Sequence, residues 1–174
     1  MKLKLFLSLL VISQITYAQS KLTVESSKLQ WQAIYSDNTH KNLKDAFLTN
    51  VSFEQITVID ENTLVGQFLI KPNWRETFRI SNVPIFVRDN DISGNAKVQF
   101  KDGRYRITVN NLETNWTGST QLWPTGKQDP LEVYLLKKDG SVRPKYVRDS
   151  SVIKLYENEL YKHFDIPDAE DDNW

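Results

Sequence analysis

The order of strand, helix, several antiparallel strands and closing helix predicts an α+β domain, with both helices packed on one face of a single sheet. Three stretches carry this reading. Leu29-Gln-Trp31-Gln-Ala33-Ile-Tyr35 alternates large apolar with polar residues, the period of a half-buried strand. Asp102-Gly103 sits between two further alternating runs, 96–100 and 104–110, and Asp-Gly favours a tight hairpin turn. Val152, Tyr156, Leu160 and Phe164 recur at helical spacing behind Ser150 and Ser151, either of which can cap.

The remaining elements follow in chain order. Asn38 or Thr39 is expected to cap a short helix over 41–49, with Leu43, Ala46 and Phe47 on one face. Residues 51–60 and 63–70 have β composition around the turn residues Asp60, Glu61 and Asn62, and so read as a hairpin. Pro72 and Pro84 bracket a mixed stretch around Trp74 and Phe78, where Pro84 restricts any strand to an edge. From 112 to 148 the pattern weakens to one expected strand at 131–137 and a Lys138-Asp139-Gly140 turn. Pro167 bars continuation of the last helix, and the acidic tail 168–174 has the composition of a disordered end.

The first residues, Met-Lys-Leu-Lys, precede the apolar run 5–12 and the small-residue sequence Thr16-Tyr17-Ala18. That is the layout of a secretory signal cleaved after Ala18, and eight apolar residues are too few to cross a core that needs about 20. Residues 1–18 are thus expected to be removed, leaving one domain over 19–167, and the product is expected in the periplasm or secreted. No cysteine occurs, so neither a disulfide framework nor a thiolate nucleophile or metal site exists. Basic and acidic residues balance at 22 each, and loss of Lys2 and Lys4 leaves a slightly acidic chain. Without a basic field, nucleic acid is excluded as a partner.

Phe100-Lys-Asp-Gly-Arg-Tyr-Arg-Ile-Thr-Val-Asn-Asn-Leu112 resembles DUF4468, a domain of unknown function with a TBP-like fold from Bacteroidetes envelope proteins. The family's strand, K-D-G-R-Y-R turn and strand ending near an Asn are all present, and the order of elements agrees over roughly 22–165. The resemblance implies a β-α-β-β-β-β-α fold and no activity. The family pattern departs after Leu112, where 113–148 reads as an insertion and a place for a function particular to this chain.

Little catalytic vocabulary is present. His40 and His163 are expected at helix ends on the surface, His163 as a cation near a C-terminus, and they lack metal-binding spacing. There is no Gly-x-Ser-x-Gly elbow or phosphate-cradling glycine loop. Asp89, Asp91, Ser93 and Gly94 begin a calcium loop, but its twelfth position is Phe100, so Asp102 or another acid would have to complete it; a plain Asx-rich turn is the competing reading. No cofactor other than this calcium is expected. Arg104 and Arg106 share one strand face and are weighed as an anion pair against solvated arginines. Trp74, Trp116 and Trp123 are weighed as stacking platforms for a glycan or partner against packing over the core. The leading expectation is a non-enzymatic envelope module that binds or assembles with another protein, ahead of a glycan or small-ligand binder and, last, a hydrolase.

Overall fold

The computed structural model describes residues 21–37, 39–118 and 124–168, so the signal segment, Trp123 and the tail from 169 lie outside the described residues. Strands β1 (Lys21–Glu25), β2 (Lys28–Ser36), β3 (Gln55–Asp60), β4 (Thr63–Ile70), β5 (Asn90–Lys101), β6 (Arg104–Trp116) and β7 (Gln128–Pro130) form one antiparallel sheet. Its order is β1-β2-β6-β5-β4-β3, with β7 also on β6.

Alternation decides which face is buried. Leu29, Trp31, Ala33 and Tyr35 of β2 turn inward, level with Tyr105, Ile107 and Val109 of β6 and Ala96 and Val98 of β5. Helix α5 (Ser151–Phe164) lies on this face through Val152, Leu155, Tyr156, Leu160 and Phe164. Phe164 rests against Trp31 and Phe68, ring centroids 5.9 and 5.3 Å away. Helix α1 (Leu43–Asn50) places Phe47 against Phe100 and Tyr105 on the same side. The fold is therefore α+β with both helices on one sheet face.

The β5–β6 hairpin closes through Asp102 and Gly103, both at positive φ, as a tight turn of this hand requires. Its strands run longer than the alternation alone indicates, because at Asn111 the pattern changes parity. Ser93 pairs with Glu113 but Asn95 with Asn110, so Asn111 and Leu112 together oppose Gly94. Asn111 takes φ 52°, a left-handed conformation that asparagine tolerates, and the bulge returns Leu112, Thr114 and Trp116 to the core side.

Several expectations are corrected. The cap of α1 is Asn42, whose side chain accepts from the Asp45 amide, because Asp37 instead holds the amides of Thr39 and His40 in a turn of its own. No strand occupies 71–84; a 3-10 turn at Trp74–Glu76 precedes α2 (Ile85–Arg88), which starts after Pro84. The strand expected at 131–137 is a single helical turn, α3 (Glu132–Leu135). Leu131, Leu135 and Leu136 are buried and Val133 is 54% exposed, the spacing of a helix and not of a strand. A further turn, α4 (Pro144–Arg148), buries Tyr146 beside Phe86. The chain also begins with β1, which the alternation did not announce. No helix among the described residues is long and apolar enough to cross a membrane.

Candidate functional site

The face of the sheet turned away from the helices carries no covering element among the described residues. Ile34 is 50% exposed and Leu69 41%, while Gln32, Asn95, Lys97, Arg104, Arg106 and Asn110 are exposed around them. Two hollows lie on it. One, about 450 Å³, is bordered by Ile34, Gln99, Lys101, Arg104 and Arg106 at the β5–β6 turn. The other, about 470 Å³, lies at the far end of the same strands, where Gln67, Ser93, Asn95, Asn111, Glu113, Asn115 and Gln128 converge.

The second hollow exists because β6 is shared. β2 pairs along Arg104 to Val109 and β7 along Glu113 to Asn115 on the same edge, leaving a fork beside the Asn111 bulge. The backbone left unpaired at the fork finds other partners. Leu131 N donates to Leu112 O at 2.8 Å, and Leu29 N donates to Glu132 Oε1 at 3.0 Å. Carboxamides then line the floor, Asn115 donating to Ser93 Oγ at 2.8 Å. Amide side chains offer donors and acceptors together, so this end suits a ligand or partner surface rich in both.

The residues singled out in the sequence fall as follows. Arg104 and Arg106 do share the open face, Arg106 donating to Gln99 Oε1 at 2.8 Å. Trp116 is 1% exposed and belongs to the core, its indole Nε1 donating to Asp129 Oδ2 at 3.2 Å. Asp129 also accepts from Tyr134 at 2.6 Å and pairs with Lys127. Burial raises its pKa, but these contacts outweigh burial and hold the carboxyl below the usual range. Trp74 is 9% exposed under the Arg75 guanidinium. Neither of these two tryptophans offers a ring face on a groove, and Trp123 lies outside the described residues.

Asp89 follows α2 with both carboxylate oxygens on Arg88, at 2.8 and 2.7 Å. Asp91 and Ser93 belong to β5, where an extended backbone separates them by about 7 Å along the strand instead of wrapping them round an ion. Burial moves the Asp91 carboxyl upward against the opposing influence of Lys71, and its Oδ1 has no hydrogen-bond partner. No group of three or more acidic, histidine or cysteine side chains suited to a metal occurs among the described residues.

The histidines differ from expectation and from each other. His40 Nδ1 contacts Asp37 Oδ2 at 2.5 Å. Burial raises the Asp37 pKa, yet hydrogen bonds from Thr39 and His40 prevail and bring it to about 2. His163 is half-buried between the rings of Phe68 and Phe164, and burial lowers its pKa, so it is a neutral core-side group and not a surface cation.

Sequence reasoning missed the amide hollow, whose only signal was the pair Asn110-Asn111 where apolar alternation slips between Val109 and Leu112.

A mixed α+β protein with one helix-covered and one open sheet face is thus defined. No protein-family model and no curated protein matches the chain. Among solved structures it is similar to a TBP-like protein from Parabacteroides distasonis, with 12% identity and TM-score 0.43, covering 82% of this chain and 86% of that one. It is also similar to a DUF4468 family protein from Bacteroides ovatus, with 13% identity and TM-score 0.42, covering 86% of this chain and 93% of that one. Both are of the kind that the 100–112 resemblance names.

Proposed function

We propose that this chain is a non-enzymatic module of the cell envelope that engages another protein through the open face of its sheet. The observation that carries the reading is the asymmetry of that sheet. One face is closed by α1 and α5, and the other exposes Ile34, Leu69, charges and amides over two hollows. An uncovered sheet face of mixed polarity has the make-up of a non-obligate interface, in which apolar area is interspersed with hydrogen-bonding groups. The n-region, apolar run and Ala18 cleavage site support export.

Photo-crosslinking residues at Gln32 and Thr108, on the open face, test this in intact cells against controls at the exposed positions Lys154 and Asn158 on α5. Adducts confined to the open-face positions are expected, with the mature chain beginning at Gln19. Equal adducts from both faces, or none from the open face, would overturn the reading.

The amide-lined hollow favours a second reading, a hydroxyl-rich ligand such as a glycan, held by carboxamides and not by tryptophans. Titration of a glycan panel with amide-resolved NMR checks it. Shifts centred on Asn95, Asn111 and Asn115 are expected, and their absence would remove the reading.

A further inference from the structure

The open face is charged differently at its two ends. At the β5–β6 turn, Lys101, Arg104 and Arg106 surround one hollow, and among the described residues none has a carboxylate within ion-pair distance. Lys101 and Arg104 stand directly opposite each other across the hairpin, an arrangement of like charges that disfavours the pairing. At the other end Glu54, Glu113 and Glu132 line the second hollow with Lys28 as their single cation there. Glu113 takes part in no ion pair among the described residues, and Glu132 uses Oε1 to accept from Leu29 N.

Register fixes how these ends are related. Arg104 and Glu113 lie on the same strand, nine residues and so about 30 Å apart. A two-fold axis in the plane of the face, perpendicular to the strands and crossing β6 near Thr108, exchanges the two ends. Because Ala96 pairs with Val109, the same axis crosses β5 at Ala96 and carries Lys101 to the level of Asp91. On the β2 side it carries Ile34, level with Arg106, toward the level of Pro130, which pairs with Glu113. An axis along the strands would instead set the arginine end over itself.

We propose that the open face is self-complementary. Two copies pack face to face about the perpendicular axis, with Arg104 and Arg106 of each over Glu113 and Glu132 of the other and Ile34 over Pro130. The inference rests on the open face engaging protein and names the partner as a second copy of this chain. Twisted sheets stack in this aligned manner, about 30° from parallel. The centre of the contact is polar, with Gln32, Lys97, Thr108 and Asn110 near the axis, so the association depends on its charged ends and is weakened by salt.

Sedimentation velocity of the purified protein over a range of concentrations, at low and at high salt, tests the proposal. A dimer at low salt that dissociates at high salt is expected. Arg104→Glu with Arg106→Glu gives a monomer, and so does Glu113→Lys with Gln128→Lys. Mixing the two variants restores a dimer, since each reversed end then faces its complement. Melting temperatures close to the parent's show that the variants remain folded, as expected of positions on an uncovered face. A parent that stays monomeric at low salt, a dimer that survives both reversals, or a mixture that fails to associate would overturn the proposal. A crosslinked adduct of a different protein on Thr108 would leave the wider reading standing while removing the second copy.

Discussion

The two faces of this sheet use the same strands for opposite purposes. On the covered face, Trp31, Tyr105, Ile107 and Phe164 are at most 1% exposed and interlock with α1 and α5. On the other, alternate residues of the same strands remain in solvent, and Lys101, Arg104 and Arg106 meet no carboxylate among the described residues. Stability resides in one set of positions and recognition in the other, because successive side chains of a strand point to opposite faces.

Substitutions test that division, and the largest effect belongs to the covered face. Phe164→Ala removes a fully buried ring in contact with Trp31, Phe53 and Phe68 and is expected to destabilise the fold by about 3–5 kcal/mol in urea titration. Arg104→Ala, on the open face, should change the same measurement by no more than about 0.5 kcal/mol. If the two effects were alike, the division between the faces would fail.

Gly140→Ala comes next. Gly140 has φ 80°, and a Cβ there would fall 2.2 Å from Ser27 Oγ and 2.9 Å from Ser27 Cβ, in the β1–β2 turn. A loss above about 1 kcal/mol is expected. Ser27→Gly in the same chain should recover part of it, since it removes the clashing side chain and suits φ 62° at that turn position. An uncoupled double mutant would show that the contact between the two turns is unimportant.

His163 sharpens the comparison through pH. Its folded pKa lies below the ordinary value of 6.5, so on acidification the unfolded chain takes up this proton first. Stability present above about pH 6.5 is therefore lost as pH falls toward the folded value and levels off below it. His163→Gln should flatten that part of a stability–pH curve, and an unchanged slope would mean that another group is responsible.

The smallest effect is expected from Tyr35→Phe. The Tyr35 hydroxyl donates to Tyr161 O at 2.9 Å, and its loss should lower stability by about 0.5–1.5 kcal/mol. Tyr105→Phe removes the equivalent bond to Phe164 O at 2.8 Å and should behave similarly.

What the sequence disclosed tracks where local chemistry and tertiary packing agree. The Asp102-Gly103 turn, the alternation of β2 and the Val152, Tyr156, Leu160, Phe164 spacing all act locally and were legible. The β1–β2 turn was not, because Ser26 and Ser27 adopt φ 48° and 62° without the Gly or Asn that normally marks such a turn. Residues 131–136 were misread because Leu131, Val133 and Leu135 alternate as in a strand, while burial of Leu131, Leu135 and Leu136 follows helical spacing. Arg104 and Arg106 were correctly placed on one face, but their relation to Glu113 depends on a bulge and on long-range register. The tryptophans misled for a simpler reason: the loop-like surroundings of Trp116 belong in fact to the end of β6, under α3.

The bulge at Asn111 also sets a counting rule for the chain. Deleting that one residue would restore unbroken alternation and turn Leu112, Thr114 and Trp116 toward solvent while sending Glu113 and Asn115 into the core. Residues can therefore be lost from the far half of β6 without inverting it only two at a time, much as a coding frame tolerates insertions only in whole codons.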